Sequence, residues 1–142
     1  GEHFIQSFQL GAVRMMLKKD KQLEWQRLKK WLSVHNDVHT LIGLGGNIKA
    51  FLNSCNSKKM SSKEFVKNAK NLKNLNLNEK IDTYNFSSDR ADVIDFAMLI
   101  YERIINQLKI KEIRSTKWGV SDSIAVKIFN ELYSKKISIY KD

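Results

Sequence analysis

Two hydrophobic periods alternate along this chain, and together they divide it into short strands and amphipathic helices. HFIQSF, His3 to Phe8, alternates loosely between apolar and polar positions and gives way at Gly11, which predicts a strand turning into a short helical piece over Ala12 to Lys18. From Lys21 to Asp37, Leu23, Leu28, Trp31, Leu32 and His35 recur at helical spacing with basic residues between them, the pattern of a helix with one buried face. HTLIGL, His39 to Leu44, is an apolar run of strand length, and after the glycines Ile48, Phe51 and Leu52 fall on one face of a further helix. Ser61 followed three residues later by Glu64 forms a capping-box signature and predicts a helix from about Ser62 to Leu75. LNEKIDTY, Leu77 to Tyr84, reads as a short helix.

The longest periodic segment follows. Ser87 or Ser88 caps it, and Val93, Ile94, Ala97, Met98, Tyr101, Ile104, Ile105 and Leu108 make a wide apolar stripe, so this helix is expected to be the most buried. KEIRST, Lys111 to Thr116, reads as a strand, Gly119 breaks it, and Ser121 is placed to cap a last helix ending near Tyr133. The tail SKKISIYKD reads as loose chain or an edge strand. Strands alternating with helices predict an α/β class, an incomplete sheet covered by helices. Three clear strands are few for that class, which suggests part of a longer protein.

Composition narrows this only slightly. With 142 residues, no proline, six glycines and no repeat, residues 1–142 read as a single domain. No run approaches the roughly 18 to 20 apolar residues of a membrane span, and the first ten residues lack the layout of a signal peptide, so a cytoplasmic location and no membrane partner are the expectation. Cys55 stands alone without CxxC spacing and reads as a packed or surface thiol. Lysine and arginine exceed aspartate and glutamate, 25 to 15, which is compatible with an anionic partner but does not choose among nucleic acid, nucleotide and polyphosphate; solvated helix faces are the simpler explanation of the excess.

Candidate chemistry lies at two places. TLIGLGGNIKAF, Thr40 to Phe51, ends an apolar run on Gly43, Gly45 and Gly46 and restarts as a helix, a layout that presents free backbone amides and a positive helix end to one point. It matches neither the dinucleotide fingerprint nor the P-loop, and on these residues alone a plain tight turn is the simpler explanation. SSDRADVID places Arg90 in the first turn of the long helix, where a cation opposes the dipole and calls for Asp89, Asp92 or a phosphate ligand as partner. His35 and His39 are four apart, but Asn36 stands where a zinc protease carries its glutamate, and the pair straddles a helix end, so a structural role is expected. The aromatics follow core spacing and do not interleave with basic residues as a base-stacking surface would, and no nucleophile motif appears.

Four motifs in order carry a resemblance: SFQLGAVRM from Ser7 to Met15, IGLGGNI from Ile42 to Ile48, SDRADVI from Ser88 to Ile94 and IRSTKWGVSDSI from Ile113 to Ile124. Through nearly its whole length the chain resembles the exopolyphosphatase and guanosine pentaphosphate phosphohydrolase family. That resemblance implies the second lobe of an actin-like, ribonuclease H-like two-lobe fold, phosphoanhydride hydrolysis in the cleft, and a divalent cation, Mg2+, whose ligands are not identifiable in this chain. The water-activating glutamate of the first lobe and the aspartate-led glycine loop of the second have no counterpart here, so the first lobe is a required partner, no catalytic or metal-ligating residue is assigned, and this polypeptide alone is expected to be inactive.

By position, Gly45, Gly46 and Asn47 match the family's second-lobe phosphate turn, and Arg90 matches the basic residue of its DRAD motif near the cleft mouth. These four are the implied substrate-binding residues. Arg14 matches the GAVR arginine, with structure and binding both open. Ser123 departs from the family's glycine, which puts close ligand approach there in doubt. The implied substrate is polyphosphate or guanosine pentaphosphate. The readings of different class are a basic nucleic-acid-binding module, which the aromatic pattern disfavours, and a non-catalytic polyphosphate or nucleotide sensor. An unfinished sheet edge would also allow a homodimer.

Overall fold

The computed structural model describes residues 2–35 and 37–133. The expectations for residues 134–142 and for Asn36 lie outside the described residues. Among the described residues, seven helices and three strands follow in the order α1 (Ala12–Met16), α2 (Gln22–Ser33), β1 (Thr40–Gly43), α3 (Gly46–Ser54), β2 (Lys59–Ser61), α4 (Ser62–Lys73), α5 (Leu77–Tyr84), α6 (Ser88–Leu108), β3 (Glu112–Ser115) and α7 (Val120–Tyr133). Helix dominates. The α/β expectation holds as a small mixed sheet beneath helices, in the order β1-β3-β2.

β1 and β3 run parallel with Leu41 opposite Ile113, and β2 runs antiparallel with Met60 opposite the same Ile113. Because strand side chains alternate, this register lines Leu41, Ile113 and Met60 on one face. That face meets the helices, and Ile113 is wholly buried. The other face carries Ile42 and Arg114, both exposed, with Lys59 paired to Glu112 at 3.8 Å.

α6 is the axis on which the rest is hung. Its stripe Ala91, Ile94, Ala97, Met98, Ile105 and Leu108 is buried. Against it lie α1, α2, α3, α4 and α5. Removing a Leu- or Ile-sized side chain from such a position costs about 2–5 kcal/mol. The helix stops at Lys109, which adopts a left-handed φ of 53° while the Ile110 amide reaches back to the Ile105 carbonyl at 3.1 Å. α4 begins where sequence placed it: the Glu64 amide donates to Ser61 Oγ at 3.3 Å and the Ser61 amide to Glu64 Oε2 at 3.0 Å. The Ser62 amide also donates to the Lys111 carbonyl, which ties α4 to the start of β3.

Several expectations are corrected. Residues 2–10 form no strand. Their backbone finds another partner: the Gln9 amide donates to Glu24 Oε2 at 2.7 Å, and Phe8 packs edge-on against Trp31. Glu24 is therefore buried although charged, and Arg27 closes its other oxygen at 2.6 Å. The buried face of α2 is turned to match, so Trp25 lies inside, while Leu23 is 63% exposed. Trp25 donates its indole N–H to Asp20 and carries the Arg103 guanidinium 3.9 Å above its ring. β2 was not anticipated. At the start of α7, Asp122, not Ser121, accepts the Gly119 amide, at 2.6 Å.

Candidate anion site at the start of α3

The three glycines after β1 answer to three different constraints. A Cβ on Gly43 would stand 2.7 Å from Ile48 Cγ1 and 2.9 Å from Tyr101 Oη, so packing excludes a side chain there. Gly45 has φ 97° and ψ 176°, a region open in practice to glycine alone, and a Cβ there would meet nothing. Gly46 opens α3, and a Cβ on it would stand 2.8 Å from Arg90 Nη2 and 2.9 Å from Nη1. Tyr101, read from sequence only as part of the core stripe, thus also shapes the turn; nothing in its spacing marked that role.

α3 has no side-chain cap and no acid in its first turn. α4 and α5 both begin with complete capping boxes that include a glutamate. The leading amides and positive end of α3 are consequently uncompensated by side chains. Gly45 and Gly46 are exposed, and Asn47 and Arg90 half-buried. The bend is open to solvent and on the same side as Arg90.

Arg90 reaches this point from the first turn of α6. Its Nη1 donates to Asn47 Oδ1 at 3.0 Å. Both terminal nitrogens lie nearer the Gly46 Cβ position than Cζ, at 3.3 Å, so the forked end of the guanidinium faces the glycine. The sequence left an acid or a ligand as the partner of this cation. Among the described residues Arg90 makes no ion pair; a neutral amide holds it. Asp89 is held below the usual carboxylate range chiefly by the Ser87 hydroxyl, and the Arg90 charge is the smallest of the causes. A guanidinium thus sits over one helix N-terminus while belonging to another, with one neutral partner. Gly45, Gly46, Asn47 and Arg90 are brought together.

The other candidates fall elsewhere. Arg14 is exposed on α1. Ser123 lies in the first turn of α7, its hydroxyl donating to the Gly119 carbonyl at 3.3 Å. His35 meets Trp31 edge-on and Phe4 at a tilt. Cys55 is half-buried, and burial pushes its thiol up. A cavity of about 560 Å³ between α2 and α6, lined by Trp25, Gln26, Arg103 and Asn106, does not include the α3 turn. Among the described residues no group of three or more His, Cys, Asp or Glu side chains could hold a metal. The donors at the α3 turn are N–H groups and a guanidinium, which suit an anion and do not fit Mg2+. Among the described residues, no helix is long and apolar enough to cross a membrane.

No family model matches the chain, and the search of curated proteins returns no match. Solved structures do match. A crystal structure of the type II variant of the Aquifex aeolicus Ppx/GppA phosphatase aligns with a TM-score of 0.71 at 19% identity, covering 88% of this chain and 49% of that one. A crystal structure of the Aquifex aeolicus member of the Ppx/GppA family gives 0.65 at 20%, covering 85% and 47%. A structure of the Aquifex aeolicus PPX-GPPA enzyme gives 0.62 at 19%, covering 82% and 46%. The fold is therefore shared with Ppx/GppA structures, as the four motifs led us to expect, and the chain spans just under half the length of the structures it matches.

Proposed function

We propose that this chain is the phosphate-binding part of a Ppx/GppA-type phosphohydrolase, equivalent to most of its actin-like second lobe. The observation that carries the reading is Arg90, a cation over the uncapped start of α3 that makes no ion pair among the described residues. An anion with several oxygens would satisfy both groups: backbone amides of Gly46 and Asn47 on one side, the free Nη donors on the other. Polyphosphate or guanosine pentaphosphate has that chemistry. Among the described residues no carboxylate pairs with Arg90 there.

The contribution is binding and positioning. Held non-bridging oxygens fix the phosphoanhydride and spread its charge, which is most of what phosphoryl-transfer catalysis asks of a protein. The water-activating base and the Mg2+ ligands belong, in this reading, to a first lobe outside these 142 residues.

Calorimetric titration of the chain with tripolyphosphate tests this. Binding should be seen and should fall about tenfold in Arg90→Gln, the loss of one charge-assisted pair. RNA of equal charge binding as tightly, with Arg90→Gln without effect, would replace the reading with a general basic surface whose affinity follows salt alone. Phosphate release by the pure chain would overturn the placement of the base in another lobe.

A further inference from the structure

We infer that the Asn47 side chain is a positioning group and does not touch the phosphate; its work is to hold Arg90. The inference rests on the binding reading above and refines which of the four residues act directly. Arginine offers donors only, so the Asn47 atom 3.0 Å from Nη1 must be the carboxamide oxygen, and that orientation fixes the amide's other end as well. The oxygen is then committed to the guanidinium. Of the five N–H donors of Arg90, one is used, and the forked end faces Gly46.

Gly46 gains a second reason to lack a side chain. The space above it is taken by Arg90, whose nitrogens stand within 2.9 Å of where a Cβ would be. Gly46, Asn47 and Arg90 form one device: the glycine leaves the berth, the amide moors the cation in it, and the moored cation faces the amides of the α3 start. Without Asn47, the long Arg90 side chain faces the uncompensated start of α3 and loses the hydrogen bond that holds it over the turn.

The test is a double-mutant cycle read with inorganic pyrophosphate, together with the ¹⁵N spectrum of the Arg90 guanidinium in the free protein. Arg90→Gln should weaken pyrophosphate about tenfold and Asn47→Ala about fivefold, while the double variant should bind no worse than Arg90→Gln, because Asn47 acts through Arg90. Losses that multiply would make Asn47 an independent ligand and overturn the inference. In the free protein, hindered rotation of the guanidinium should separate its Nη signals, collapse in Asn47→Ala, and survive in Asn47→Asp, which keeps an acceptor. Averaged Nη signals in the wild type would also overturn it. Should the wild type bind no pyrophosphate, the proposed function fails, and the spectrum alone decides whether Arg90 is moored.

Discussion

The same substitution, glycine to alanine, should have three different outcomes at Gly43, Gly45 and Gly46. At Gly43 the new methyl would lie 2.7 Å and 2.9 Å from two carbons of Ile48, which is wholly buried and has nowhere to go. Overpacking of this kind costs about 1–3 kcal/mol. At Gly45 there is open space, but φ 97° with ψ 176° strains any side-chain-bearing residue, again by about 1–3 kcal/mol. At Gly46 the methyl meets only the far end of a flexible arginine, which can withdraw. The fold should notice little, within about 0.5 kcal/mol, since alanine's better helix propensity offsets the displacement. Thermal melting separates these, because a kcal/mol moves the midpoint by about 4 °C in a domain of this size. Tripolyphosphate titration completes the assay. Gly46→Ala should melt with the wild type yet bind several-fold more weakly, the reverse of what a core glycine would do. A Gly46→Ala protein that melts like Gly43→Ala, or that binds like the wild type, would refute the reasoning.

Two further outcomes follow from buried charge. Glu24 is held below the usual carboxylate range, first by the Gln9 amide and then by Arg27, so its contribution is complete above the ordinary glutamate range and is lost as pH falls through the depressed value. Urea melts at neutral and acid pH should show a smaller acid loss in Glu24→Gln than in the wild type, and equal losses would count against the Gln9 contact. Lys80 and Asp95 pair across α5 and α6, and Lys80 is buried. Asp95→Ala should cost about 3 kcal/mol by stranding the ammonium, and Lys80→Met with Asp95→Leu should recover most of it, both read from urea midpoints; a single-variant cost below about 1 kcal/mol would show the charge to be solvated.

What could be read from sequence was what local rules determine. Ser61 and Glu64 satisfy one another's backbone within four residues, so α4 was legible at its first residue. The stripe of α6 was legible because it spans 21 residues and its period is sustained. Lys59–Ser61 is too short to show a period, and it is a strand only because Ile113 lies beside Met60. His3–Phe8 alternates as a strand would, but alternation supplies no ladder partner, and the Gln9 amide found the Glu24 carboxylate 15 residues away. That same contact drew Glu24 inside and rotated α2, so Leu23 went out and Trp25 in. At the candidate site, the sequence picked out Gly45, Gly46, Asn47 and Arg90, which the fold brings together, but it offered Arg90 an acid or a ligand; an amide from residue 47 was a third answer that only the fold could supply.

Net charge alone does not single out a candidate anion site in this chain. Twenty-five basic residues against fifteen acidic ones leave an excess that solvated helix faces can absorb without any partner. What distinguishes Arg90 is the geometry imposed by α6. That helix packs against α3 through its buried stripe, and the hydroxyl of its own Tyr101 stands against the end of β1 at Gly43. The core therefore fixes the first turn of α6, and with it Arg90, relative to the first turn of α3, whose positive end carries no compensating acid. A surface lysine is free to leave an unfavourable field; a residue on a 21-residue core helix is not, and only its side chain can turn away. Arg90 nonetheless turns toward α3. The hydrophobic core thus offsets the repulsion of Arg90 beside the α3 start, and in the proposed function an anion bound there would return part of that cost as stability.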